Sequence, residues 1–105
     1  MRESEYQTKI IKKLEALFPD CIILKNSAEY RQGMPDLLIL WNNHWASLEV
    51  KMSPSSIVQP NQNYYIEKLD EMSFAAYIYP ECEEEVLNAL QQAFEAPRRA
   101  RVLKS

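Results

Sequence analysis

The chain has 105 residues, 47% of them hydrophobic, and a formal net charge of −3, which suits one small domain with a hydrophobic core. Its single glycine excludes Gly-rich phosphate-binding loops, so we expect no nucleotide cofactor. The absence of a long apolar run and of a signal-peptide pattern excludes membrane partners and predicts a cytoplasmic protein. The two cysteines lack metal-ligand spacing and predict reduced thiols.

An amphipathic helix is predicted from residues 4 to 18, where apolar residues recur at helical spacing. Ser4 and Gln7 fit a capping box, and Pro19 ends the helix. On a helical wheel, Glu3 projects to the apolar side and Glu5 points away from it. Glu3 is therefore preferred as the acid that reaches a buried site, although the capping box would leave it just outside the helix.

Three strands are predicted next, and a hairpin joins the second to the third. The strands are residues 21–24, 37–41 and 45–50. Asn42-Asn43 forms the hairpin turn, and a polar segment over residues 25–33 leads to the second strand. His44, the only histidine, is expected to have a turn or surface role.

The second half of the chain predicts a loop, a helix, a strand and a final helix. These are residues 52–60, 62–71, 74–79 and 81–94. Gln62 shares the inward side of its helix with Ile66, and a buried amide needs partners, which suits a residue aimed at a site. The order helix, strand, strand, strand, helix, strand, helix predicts an α/β fold with a mixed four-stranded sheet flanked by helices.

The hairpin carries the residues with the clearest chemistry. Because strand residues alternate faces, Glu49 and Lys51 lie side by side at the end of the third strand. The pairing brings Asp36, at the start of the second strand, opposite that end. Two acids and an ammonium group then converge, and hard divalent cations such as Mg²⁺ or Mn²⁺ take oxygen ligands of this kind. A metal held this way can activate water and bind a scissile phosphate.

The segments Gly33-Met34-Pro35-Asp36 and Glu49-Val50-Lys51 together resemble the signature of the PD-(D/E)XK nucleases, most closely the stand-alone VRR-NUC nucleases of phages and bacteria. The likeness runs from Glu3 to about Leu90. Further matching positions are Glu3 ahead of Tyr6, Lys25 after the first strand, and Pro60-Asn61-Gln62 at the start of a helix. A glycine that is usual after the second helix is replaced around residues 71–73.

The resemblance implies a restriction-endonuclease-like core and a divalent metal, Mg²⁺ or Mn²⁺. Asp36 and Glu49 would bind it together with the carbonyl of Val50, and Glu3 would reach the metal or its water. These assignments come from the family pattern, carried over position by position.

The same resemblance implies roles for two further residues and a substrate. Lys51 would orient the attacking water and stabilise charge on the phosphate, and Gln62 would position the lysine or the phosphate. Family members are structure-specific nucleases, and the short ones often act as dimers on branched DNA. We therefore expect a homodimeric endonuclease that cuts Holliday-junction or flap-type DNA.

Residues 1–96 are predicted to form a single nuclease domain, and residues 97–105 a basic, flexible tail. The residues expected to bind DNA are Lys25, Arg31, Arg98, Arg99 and Arg101.

Two functions of other classes remain open: a noncatalytic nucleic-acid-binding module, and a phage-encoded assembly or interaction protein in the host cytoplasm. A structural interpretation also remains, in which Asp36 caps a turn and Glu49 and Lys51 form a cross-strand surface pair. The complete set of Asp36, Glu49 and Lys51 favours the nuclease, because a binding module has little use for acids that face phosphate without a metal.

Overall fold

A computed structural model describes residues 1–27, 29 and 31–96. Its helices and strands are α1 (Glu3–Leu17), β1 (Ile22–Lys25), β2 (Leu37–Trp41), β3 (His44–Val50), α2 (Gln62–Met72), β4 (Phe74–Ile78), a 3-10 turn (Pro80–Cys82) and α3 (Glu83–Glu95). The predicted order of helices and strands is confirmed. The expectation of a basic, flexible tail concerns residues outside the described ranges.

The sheet is mixed, as predicted, with the strand order β1-β2-β3-β4. β1, β2 and β3 pair antiparallel in succession, whereas β3 and β4 are parallel. A parallel pair needs a crossover connection, and α2 lies within it. Because the ends of β2 and β3 that lie away from the hairpin turn are adjacent, residues that precede β2 meet residues that follow β3.

The hydrophobic core lies between one face of the sheet and the helices α1 and α3. Alternate residues of β2 and β3, such as Leu37, Ile39 and Leu48, are fully buried there. The helices contribute Tyr6, Ile10 and Leu14 from α1, with Phe18 directly after its end, and Leu87, Leu90 and Phe94 from α3. Helical periodicity in the sequence therefore identified the faces that pack on the sheet.

The opposite face of the sheet is covered only in part, by α2. The hydroxyl of Tyr77 in β4 donates to Asn63 Oδ1 of α2, which fixes the helix over the parallel half of the sheet. Ser47, Glu49 and Lys51 are buried on this face of the sheet. On the antiparallel half, Ile22 and Leu24 remain 58% and 47% exposed.

The start of α1 differs from the prediction. The helix begins at Glu3, its N-cap is Arg2, and no side chain caps it. Ser4 lies inside the first turn, where its carbonyl accepts a hydrogen bond from Thr8 Oγ1 at 3.0 Å. The capping box is therefore wrong, and Glu3 is a helical residue.

Other boundaries shift by one or two residues because strand pairing sets them. β1 begins at Ile22 and extends to Lys25, which pairs with Leu37 instead of following the strand. His44 is the first residue of β3 and pairs with Trp41, so it is a half-buried strand residue and not part of the turn. β4 ends before Tyr79, where the 3-10 turn precedes α3.

Both cysteines, Cys21 and Cys82, are free thiols, as predicted. Within the described residues, no helix combines the length and hydropathy that crossing a bilayer requires.

Candidate active site

The two predicted acids meet where β2 begins and β3 ends. Leu37 pairs with Leu48, so Asp36 falls opposite Glu49. The backbone N–H of Asp36 donates to Glu49 Oε1 at 3.1 Å, and the N–H of Val50 donates to Asp36 Oδ2 at 3.0 Å. Each carboxylate thus binds the backbone of the opposite strand, and the side chains continue the ladder where backbone pairing stops.

Pro35 explains why backbone pairing stops there. Continuing the register places Pro35 opposite Val50, and proline has no N–H to donate to the Val50 carbonyl. The Pro35 carbonyl is itself taken by Asn26 Nδ2 at 2.7 Å. The Val50 carbonyl therefore receives no ladder hydrogen bond from Pro35 and can serve as an oxygen ligand.

Lys51 and Gln62 complete the group around Glu49. Lys51 Nζ lies 3.5 Å from Glu49 Oε2 and donates to the carbonyl of Ile57 at 2.9 Å. Gln62 Nε2 donates to Glu49 Oε2 at 2.8 Å, while Gln62 Oε1 accepts from the N–H of Gln59 at 2.8 Å. The buried amide of Gln62 is thus paired at both ends, and it contacts Glu49 directly.

The single glycine explains how Gln62 reaches the site. Gly33 has φ +94°, and a Cβ there would lie 2.7 Å from Asn61 Cβ and 2.8 Å from the Pro60 carbonyl oxygen. No side chain fits in that space, and L-residues rarely adopt that φ. The segment that leads to Asp36 and the segment that starts α2 therefore pack backbone against backbone, which places Gln62 next to Glu49.

The electrostatics of the site are unbalanced. Glu49 is only 4% exposed, and its pKa is raised to about 7. Burial is the largest cause and the negative charge of Asp36 is the next, whereas Lys51 and the N–H of Asp36 act in the opposite direction. The group contains two carboxylates and one ammonium group, which lies next to Glu49, so the site is short of positive charge.

This deficit, and the chemistry of the donors, fit a small divalent cation. The described residues contain no group of three or more histidine, cysteine or acidic side chains that could enclose a metal. Mg²⁺, however, is typically held by one or two carboxylates and keeps several waters. Asp36, Glu49 and the Val50 carbonyl supply such a partial set, and the added positive charge would lower the pKa of Glu49.

Glu3 is not joined to this group. It is exposed in the first turn of α1, and none of the side-chain hydrogen bonds resolved in the described part of the chain connects it to Asp36 or Glu49. Glu5 is also exposed, and its Oε1 lies 3.5 Å from Arg2 Nε. The assignment of Glu3 to the metal stays a prediction.

The basic residues predicted to bind DNA divide into two sets. Lys25 is exposed at the end of β1. It pairs with Leu37, the residue that follows Asp36 in the chain. Arg31 is exposed and lines a cavity of about 320 Å³ with Asn26 and Met34. Arg98, Arg99 and Arg101 lie outside the described residues.

Sequence reasoning missed a cavity of about 200 Å³ next to the lysine. Lys51, Tyr77 and Tyr79 line it together with the loop over residues 52–60. The alternation Tyr77-Ile78-Tyr79 was the available signal, because it places both rings on one side of the strand. Only the parallel pairing of β3 with β4 shows that this side carries Glu49 and Lys51.

The four-stranded mixed sheet with flanking helices and two acids at adjacent strand ends defines a restriction-endonuclease-like α/β core. A solved structure described as a VRR_NUC domain protein superposes with a TM-score of 0.62. The match covers 90% of this chain and 89% of that chain at 20% sequence identity. The chain therefore shares the fold of that VRR_NUC domain protein. No family model and no curated protein matches the sequence.

Proposed function

We propose that the protein is a metal-dependent nuclease that hydrolyses phosphodiester bonds in DNA. The observation that carries the proposal is the convergence of Asp36, Glu49, Lys51 and Gln62 at one pair of strand ends, with negative charge in excess. A structural ion pair has no need for a second carboxylate beside the buried one, because two close acids oppose each other's ionisation.

Each residue has a role that its contacts support. Asp36, Glu49 and the Val50 carbonyl would hold Mg²⁺ or Mn²⁺, which supplies Lewis-acid polarisation of the phosphate and a more acidic water. Lys51 would orient that water and carry positive charge to the phosphate. Gln62 holds Glu49 in place through its amide and acts as a positioning residue.

The DNA strand would lie across the end of the sheet that carries Asp36. Lys25 and Arg31 are exposed near that end and would contact phosphates on either side of the cut. We propose that the basic segment of residues 97–105 adds further phosphate contacts. Its deletion should weaken DNA binding and make the salt dependence less steep, since a protein that makes fewer phosphate contacts releases fewer counterions when it binds.

We also propose that the protein acts as a homodimer on branched DNA of the Holliday-junction or flap type. Ile22 and Leu24 expose large apolar side chains beside the half-buried Leu38 and Leu40, on the half of the sheet that α2 does not cover. A second copy would bury this face, and a two-fold pair presents two sites to two strands. Sedimentation of Ile22→Glu and of the unmodified chain tests this by comparing their oligomeric states. The substitution places a charge in the proposed interface, so a dimer formed through this face should dissociate.

The free thiols suit a reducing compartment, and we propose that the protein acts in the cytoplasm. A phage-encoded protein would act in the cytoplasm of the host.

Cleavage of a labelled DNA panel tests the nuclease activity. The panel contains single strand, duplex, flap, fork and four-way junction, each incubated with Mg²⁺, Mn²⁺ or EDTA. We expect metal-dependent cutting that Glu49→Ala and Lys51→Ala abolish. Glu15→Gln, which removes one charge from the exposed side of α1, is the matched control and should cut normally.

The outcome separates the nuclease from its alternatives. Absence of cutting on every substrate, together with no metal binding in calorimetry, would contradict the proposal and favour a noncatalytic binding module. Cutting that persists in Glu49→Ala would show that the active site lies elsewhere on the chain.

A further inference from the structure

The cavity next to Lys51 has no part in the mechanism above. It measures about 200 Å³, and Tyr77 and Tyr79 line it. In the parallel register Glu49 pairs with Tyr77, so Lys51 and Tyr79 follow on the same side of the two strands. The cavity therefore adjoins the ammonium group assigned to the scissile phosphate.

The loop after β3 supplies the remainder of the lining. Pro54 and Val58 contribute apolar surface, and Val58 is 46% exposed. Ser53 and Ser56 contribute hydroxyl groups, whose oxygens lie 3.4 Å apart. Aromatic rings, aliphatic surface, hydroxyls and an ammonium group together match a nucleotide, in which a sugar joins a flat aromatic base with polar edges to a charged phosphate.

Hydrogen bonds hold the cavity in place. The hydroxyl of Tyr77 donates to Asn63 Oδ1 of α2, which anchors the outer end of the Tyr77 side chain. Lys51 Nζ donates to the Ile57 carbonyl, and this hydrogen bond holds the loop over residues 52–60 next to Lys51. A site formed before binding loses less conformational entropy when its ligand arrives.

We infer that this cavity receives an unpaired nucleobase of the DNA strand whose phosphate lies at Lys51, and that Tyr79 is the ring on which the base stacks. A base inside a duplex is already stacked and must leave the helix to reach such a pocket, whereas an unpaired base enters without that cost. Aromatic side chains bind bases of any sequence in this way. The inference rests on the proposed nuclease function and gives its preference for branched DNA a physical cause.

Binding in EDTA tests the inference without any need for cleavage. The probe is a single-stranded oligonucleotide with one 2-aminopurine, whose fluorescence falls when it stacks, and the comparison is the same strand in a full duplex. We expect quenching of the single strand but not of the duplex. Tyr79→Ala should lose the quenching and bind the single strand about tenfold more weakly, whereas Tyr79→Phe keeps the ring and should behave as the unmodified chain.

Two controls keep the result specific. Tyr64→Ala removes a 60%-exposed ring of α2 that does not line this cavity, and it should leave binding unchanged. If Tyr79→Ala does not fold, an abasic site in place of 2-aminopurine removes the stacking base from the DNA instead. The unmodified chain should then bind about tenfold more weakly.

Equal binding and quenching by Tyr79→Ala and the unmodified chain, or no effect of the abasic site, would overturn the inference. Neither result depends on catalysis. Failure of the nuclease proposal is recognised separately, by Glu49→Ala cutting as well as the unmodified chain, or by no substrate being cut.

Discussion

Two glutamates in this protein have similar partners and opposite electrostatics. Glu83, at the start of α3, accepts hydrogen bonds from Lys13 and from the hydroxyl of Tyr6, both on α1. Glu49 accepts from Gln62 and from the N–H of Asp36, and lies 3.5 Å from Lys51. Each acid therefore has one lysine and further donors.

Their pKa values nevertheless shift in opposite directions. Burial opposes the ionisation of Glu83, but its bonds to Lys13 and Tyr6 outweigh this effect and lower its pKa. Burial and Asp36 raise the pKa of Glu49 to about 7. The cluster around Glu83 is electrostatically satisfied and joins two helices, whereas the cluster around Glu49 holds two carboxylates and one ammonium group. This excess of negative charge is the feature on which the proposed metal site rests.

The largest expected effect comes from removing the charge of Glu49. Glu49→Gln should lower DNA cleavage more than about a hundredfold, because it removes a ligand of the proposed metal and with it the metal's contribution to phosphate chemistry. Without metal the same variant should be at least as stable as the unmodified chain, since a buried charge opposed by Asp36 has gone. Cleavage rates and urea unfolding in EDTA measure the two quantities. Full cleavage activity in Glu49→Gln would contradict the proposal that the charge of Glu49 serves a metal site.

Gln62 gives the next effect. Gln62→Ala removes the amide that orients Glu49, and loss of such a support typically lowers metal affinity about 10- to 100-fold. Titration calorimetry with Mn²⁺ measures this. Gln91→Ala, on α3, is a matched glutamine control and should bind Mn²⁺ with unchanged affinity.

Glu83 should show the reverse pattern. Glu83→Gln weakens the contacts of Glu83 with Tyr6 and Lys13, which join α1 to α3. It should lower the free energy of unfolding by about 1 kcal/mol, because an ion pair that is partly exposed to water contributes little. Its cleavage activity at a temperature where it is folded should equal that of the unmodified chain. Reduced activity in the folded variant would show that the α1–α3 contact also shapes the site.

The smallest effect is a pH dependence of stability, and its sign differs between the two acids. Because the pKa of Glu49 is raised, between pH 4.5 and about 7 the folded protein keeps a proton that the unfolded chain loses. Without metal, the contribution of Glu49 to stability therefore falls as the pH rises through this range. The lowered pKa of Glu83 acts oppositely, since its contribution is present above the ordinary value of 4.5 and is lost as pH falls below it. Urea midpoints in EDTA measure both contributions. Glu49→Gln should remove the loss of stability between pH 4.5 and about 7. If the loss is unchanged in this variant, another titrating group causes it.

Much of this architecture could be read from the sequence. Helical periodicity identified α1, α2 and α3, and alternation with an Asn-Asn turn identified the β2–β3 hairpin, because these patterns depend on local geometry. The same alternation predicted that Asp36, Glu49 and Lys51 would meet. The capping box at Ser4 was wrong, because packing on the sheet lets the helix begin at Glu3 without a side-chain cap.

The sequence by itself determined the order of helices and strands and the identity of the acids, since both depend on residues close together along the chain. Only the tertiary structure decided the environment of those acids. The parallel pairing of β3 with β4 brought the tyrosines to Lys51, and α2 buried Glu49 beneath Gln62. The raised pKa of Glu49 follows from that burial, which depends on contacts between residues far apart in the chain, and no local pattern records them.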